Sequence, residues 1–263
     1  MTEMTPLDLA HAAMDAAPED DTARLRFFER LADSEMFVLL SRDPEGETLA
    51  PEVFETEEGQ FVLVFDREDR LSAFADRAVP YAALSGRMIV QMLDGQGIGL
   101  GVNLEVAPSS ILIPAEGIGW LAQTLAHEPG QVEAGIEELR APTGLPEVLL
   151  TSLDQKLASA VGLAKMAYLV SVVYEGGGRG YLLGFIDVQK GAEEALAKAV
   201  GEALTFSGLE AGALDVGTFS SSSEVAAYLA KVGLRFDMPQ PDAPKVYQPV
   251  PPGSDPDAPP KLK

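Results

Sequence analysis

Short apolar runs rich in Val and Phe alternate with amphipathic segments of helical period along nearly the whole chain. That alternation narrows the fold more than any other feature. Met36 to Leu40, Phe61 to Phe65, Ala167 to Val173 and Tyr181 to Ile186 are largely apolar stretches of strand length. A strand apolar on both faces needs cover on both faces, and the intervening segments supply helices to provide it. The pattern predicts an α/β (α+β) architecture of mixed sheets with helices packed against them.

Helix signals punctuate the strands. Thr5-Pro6 reads as an N-cap followed by proline at the first helical position, with Asp8 in the first turn and Pro18 as the stop. Asp20-Asp21 opens a second helix, with Leu25, Phe28, Leu31 and Ala32 on one face. Val53 to Thr56 and Phe61 to Phe65 form a hairpin around Glu57-Glu58-Gly59. Asp66 ends that hairpin and caps a helix that turns Leu71, Phe74 and Ala75 inward and Arg67, Glu68, Asp69 and Arg70 to water. Leu84, Met88, Ile89, Met92 and Leu93 trace a strong amphipathic helix with Ser85 near its start, and a helix over 114–126 carries the single tryptophan, Trp120. Leu145 to Leu150 reads as a strand and Leu153 to Val161 as a helix; Ala192 to Leu204 is a regular helical face. Ser221 and Glu224 form a capping-box pair ahead of Val225, Tyr228, Leu229 and Val232.

At about 100–200 residues per domain, a chain of 263 residues makes one large domain or two small ones. Between His127 and Pro146 the sequence turns polar and rich in Pro and Gly, with one strand signal at Val132 to Leu139. This divides the chain into two small modules: residues 1–126, a linker over 127–144, and residues 145–236. Residues 237–263 are Pro-rich and poor in apolar side chains, which predicts a disordered or extended tail. Both halves run hairpin, helix, short strand, helix, short strand, an order that fits a duplication or simply a common way of covering a small sheet.

With 41 acidic residues against 19 Lys and Arg, the formal charge is −22. Such a field repels nucleic acid and anionic membrane surfaces, so neither is expected as a partner. It suits a basic protein partner, or serves solubility alone. With no cysteine, disulfides, thiolate metal sites and cysteine nucleophiles are excluded. The N-terminal stretch lacks the basic and apolar regions of a signal peptide, and no apolar run reaches the roughly 18 residues of a membrane helix. A cytoplasmic location is expected.

No constellation for catalysis stands out, and no catalytic, cofactor-binding or metal-binding residue is assigned. His11 lies on an apolar helix face, and His127 sits beside Glu128, where sequence neighbours do not face each other. The glycines at 95, 97, 99 and 101 have the wrong spacing for a dinucleotide fingerprint and enter a strand. Gly176 to Gly180, with Arg179, reads as a hairpin turn. Ser220 to Ser223 lacks a nucleophile-elbow frame. Trp120 and Tyr81 read as core aromatics, and Tyr247 as a docking point for the tail. Neither metal nor cofactor is expected to bind.

The stretches EMFVLL, QFVLVFDREDRLSAFA and VPYAALSGRMIVQML resemble the SseB N-terminal domain, named from the enhanced serine sensitivity protein. The signature is an apolar strand turning into a helix, here Val64 to Leu71 with Phe74. SLDQKLASAVGLAKMAYLVSVVY followed by RGYLLGF is similar to the SseB C-terminal domain. The resemblance covers about residues 22–125 and 145–236. Relatives carry an Asn-Pro-Gly-Ser-like segment after the Gly-rich strand, and here Asn103 is followed by Pro108-Ser109-Ser110. The resemblance implies a fold and no reaction. The reading is therefore a non-enzymatic binding or adaptor protein, with an enzyme using carboxylate, Lys and Ser groups at the domain junction as the alternative.

Overall fold

The computed structural model describes residues 4–44, 46, 48–126, 135–209 and 214–241. Two mixed sheets organise the chain. Helix α1 (Pro6–Ala16) and α2 (Asp21–Asp33) precede β1 (Glu35–Leu39), β2 (Val53–Thr56) and β3 (Gly59–Phe65). There follow α3 (Glu68–Ala75), β4 (Tyr81–Ser85), α4 (Gly86–Leu93), β5 (Ile98–Val102), β6 (Ile111–Ile113) and α5 (Ala115–Leu125). The first sheet runs β4-β1-β3-β5-β6, with β2 also on β3, and β3 and β5 are its parallel pair.

The second module comprises β7 (Ile136–Arg140), α6 (Glu147–Ser159), β8 (Met166–Tyr174), β9 (Arg179–Ile186) and α7 (Glu193–Phe206). It ends with β10 (Leu214–Phe219), α8 (Glu224–Val232) and β11 (Leu234–Asp237). Its sheet runs β10-β9-β8-β11 with β7 also on β8, and β9 and β10 are parallel. The α/β class and the two mixed-sheet modules are as the strand and helix periodicities require.

The period-2 alternation of each strand separates two cores. In the first sheet, Val38, Val62, Val64, Leu100 and Val102 meet Phe27 and Leu31 of α2, Ile89 and Leu93 of α4, and Ile118 and Leu121 of α5. The opposite face sets Leu63 and Phe65 against Leu71 and Phe74 of α3. In the second sheet, Leu169, Leu183 and Phe185 pack on α6 and α7, while Val170, Leu182 and Ile186 pack on α8.

The two halves share an element order but not a topology. After the β2–β3 hairpin, the next strand, β4, joins β1, and only the following β5 lies parallel to β3. After the β8–β9 hairpin the order is reversed: β10 lies parallel to β9 first, and β11 then joins β8.

Several local expectations need correction. Leu145 to Leu150 is no strand: Pro146 N-caps α6, and Leu149, Leu153 and Leu157 form one buried helical stripe. The strand inside the polar segment, β7, belongs to the second sheet, paired with β8. Ser223, not Ser221, caps α8, its hydroxyl accepting from the Ala226 N–H. Residues 238–241, read with the tail, are packed. Met238 is 4% exposed within the second core, the Pro239 carbonyl accepts from the Gly162 N–H, and Gln240 donates to the Ala164 carbonyl. Residues 242–263 of the tail, Tyr247 included, lie outside the described residues.

Candidate functional site

Arg70, expected in water, is 5% exposed beside the carboxyl end of β3. Its guanidinium donates to Asp8 at 2.5 and 3.0 Å and to Asp66 at 2.8 Å. Asp8 also accepts from Ser109 Oγ at 2.6 Å and from the Thr5 N–H. Asn103, fully buried with φ 48°, accepts from the Asp66 N–H and donates to Ser109. Asparagine tolerates that left-handed backbone. Burial pushes the Asp8 carboxyl up, but hydrogen bonds from Arg70, Ser109 and the Thr5 backbone outweigh it and hold the group well below the usual carboxylate range. Asp66 thus anchors Arg70 rather than capping α3, whose N-cap is Arg67. Asn103 and Ser109 meet although proline and serine come late in the sequence. These charges face one another and serve to lock α1 onto the sheet.

A second cluster lies where α2 and α4 face α6 and α7. Lys156, 5% exposed, reaches Asp33 at 2.5 Å and Glu202 at 3.1 Å, with Glu29 at 3.7 Å. Arg87 spans both Glu202 oxygens, at 2.6 and 2.9 Å, and Asp33 at 2.8 Å. Alongside, a groove of about 550 Å³ runs between α1, α2 and α6, walled by Leu9, Ala13, Ala23 and Val148 and reaching Glu29 and Gln155. Phe206, at the end of α7, belongs to the core of the first module. It is fully buried in the same core cluster as Phe27, Leu121 and Leu125.

The exposed feature of this body is aromatic. On α5, Ile118, Leu121, Ala122 and Leu125 point inward. The helical period then places Trp120 outward, and flanking Gly117 and Gly119 give it no side-chain cover. Trp120 is 40% exposed and meets Phe28 of α2 edge-on at 5.3 Å. With Arg24, Leu25, Phe28 and Gly117 it lines a shallow apolar pocket of about 330 Å³. Phe28 in turn abuts Phe27, and Phe27 abuts His11, so a file of rings runs from the surface into the core. Arg24, the charged residue of the lining, is paired with Asp21 at 2.5 Å, and Glu116, one turn before Trp120 on α5, is exposed.

The remaining singled-out residues are scattered. Trp120 and Tyr81, read as core, are both on the surface, and the Tyr81 hydroxyl donates to Glu68. His11 packs on Phe27 at 5.6 Å, and His127 lies outside the described residues. Gly95 and Gly97 form a left-handed turn into β5, and Gly176 and Gly177 one between β8 and β9. The Ser221 N–H donates to Asp187, and Ser220 and Ser222 bond each other. Among the described residues, no group of three or more His, Asp or Glu is placed to hold a metal, and no helix is long and apolar enough to cross a membrane.

Sequence reasoning missed Arg70, Asp8, Lys156 and Glu202 because charge was taken as a sign of exposure. The i,i+4 spacing of Asp66 and Arg70 was the available signal.

Fold and surface together define a two-module α/β protein of mixed sheets with an exposed aromatic patch. Residues 9–120 match the family model of the SseB protein N-terminal domain. The match spans the first sheet and carries Phe28, Arg70, Asn103, Ser109 and Trp120. No curated protein and no solved structure matches the chain.

Proposed function

We propose that this chain is a non-enzymatic binding protein of the SseB family, its second module corresponding to the SseB C-terminal domain. It works in the cytoplasm and docks a basic protein partner on the Trp120 face. The observation that carries the reading is the exposed Trp120–Phe28 pair over an apolar pocket, on a chain of charge −22 whose pocket cation, Arg24, is already paired with Asp21. Tryptophan over an apolar pocket is the kind of group that dominates protein interfaces, and complementary charge speeds encounter with a basic surface. The chemistry that fits is an apolar side chain entering the pocket with Lys or Arg on either side.

Trp120 is the only tryptophan, so its emission reports occupancy directly. Titration with a Leu/Lys amphipathic peptide should shift the emission to the blue, saturate, and weaken with added salt. A Leu/Glu peptide of the same apolar pattern should do nothing. Emission unmoved by the basic peptide, or moved equally by both, overturns the reading.

The enzyme alternative draws on one observation, the carboxylates gathered around Lys156 at the module junction. It is the weaker reading, because Lys156, Arg87, Asp33 and Glu202 direct their hydrogen bonds at one another.

A further inference from the structure

The junction cluster contains three carboxylates, Glu29, Asp33 and Glu202, and two cations, Arg87 and Lys156. Their pairing is uneven. Lys156 is hydrogen-bonded to Asp33 and Glu202, and Arg87 to the same two groups. Glu29 is left over. Its side chain is 8% exposed, and its Oε1 keeps only a long ion pair with Lys156 Nζ at 3.7 Å and has no hydrogen-bond partner among the described residues. Arg30, on the same helix, turns away and donates to Gln155. An ionised Glu29 would be a third negative charge in a buried seam whose two positive charges are already matched.

We propose that Glu29 is a proton-binding site in the seam between the modules, taking up one proton from solvent when the seam closes and releasing it when the seam opens. The groove between α1, α2 and α6 reaches Glu29 and gives the proton its route from water. The environment agrees with the geometry. Burial raises the Glu29 carboxyl most, Asp33 and Glu202 raise it further, Lys156 and Arg30 oppose, and the group ends at about 7. Because the closed form holds this proton at higher pH than the unfolded chain does, stability falls as pH rises from the ordinary glutamate range to about 7 and levels off above it. The seam is therefore tightest on the acid side of neutrality. Among the described residues the imidazole is His11, which faces Phe27.

Urea unfolding of the full chain between about pH 5 and pH 8 tests this, with Glu29→Gln as the neutral stand-in for the protonated side chain. The wild-type midpoint should fall across that range by clearly more than that of Glu29→Gln, and the variant should be the more stable of the two at the alkaline end. Carbon-13 NMR of the wild-type Glu29 carboxyl is the second arm and needs no variant to fold. A titration midpoint near neutrality supports the proposal. A midpoint in the ordinary glutamate range, or equal pH slopes for the two proteins, overturns it.

Discussion

Phe206→Ala should be the most damaging single truncation between the modules. The ring is fully buried, and it belongs to α7 of one module while packing in the core cluster of the other, which includes Phe27, Leu31, Leu121 and Leu125. Removing a buried phenylalanine ring costs about 3–5 kcal/mol, lost transfer energy and cavity together. The ring also lies 5.8 Å from Lys156 Nζ, a contact worth up to about 1 kcal/mol more. Against a typical total of about 5–15 kcal/mol, that is a large fraction. The assay is urea unfolding followed in parallel by Trp120 emission, which reports the first module, and by far-ultraviolet circular dichroism, which reports both. The wild type should show coincident transitions. Phe206→Ala should lower the Trp120 midpoint by an amount equivalent to about 3–5 kcal/mol, although the substitution sits on the second module. The comparison is Leu196→Ala, equally buried on α7 but within the second core. If Phe206→Ala shifts the Trp120 transition by less than about 1 kcal/mol, the ring is not the pin that joins the modules.

Arg70→Met leaves Asp8 and Asp66 buried without their cation and should cost about 3–5 kcal/mol at neutral pH by urea denaturation. The Asp8 carboxyl sits below its ordinary range in the folded protein, so its stabilisation is present above that range and is lost as pH falls through the folded value. The gap between wild type and Arg70→Met should narrow in acid. Ending the chain at Asp237 removes Met238 from the second core and should cost about 2–5 kcal/mol in thermal or urea unfolding, far above the ~0.5 kcal/mol of a surface change. A chain ending at Pro241 keeps Met238 and is the control.

Strand and helix identities were legible wherever the apolar period was long. The β2–β3 hairpin, the Ser85 cap of α4 and the stretch from β8 to α7 follow from periodicity and turn chemistry alone. Periodicity failed at Leu145 to Leu150, where a short apolar run fits a strand as well as one stripe of a helix. The buried charges were illegible for another reason. Arg70 finds Asp8 across 62 residues and Lys156 finds Asp33 across 123, so no local pattern announces either pair. Trp120 was misplaced because a lone tryptophan is ordinarily largely buried. Its outward position follows only once Ile118, Leu121 and Leu125 fix the inner face of α5. Phe206 ends a regular helical face, and nothing in the chain says that it enters the neighbouring core.

The most direct test of the docking face is affinity capture with three proteins: wild type, Trp120→Ala, and Tyr228→Ala as a control at a surface aromatic on α8 that is 61% exposed. Captured proteins are then purified and titrated against the wild type while Trp120 emission is followed. The account predicts a basic protein that is retained by wild type and Tyr228→Ala, is lost from Trp120→Ala, and shifts Trp120 emission to the blue at stoichiometric ratio. A partner retained equally by Trp120→Ala, or one that leaves the emission unchanged, would contradict it.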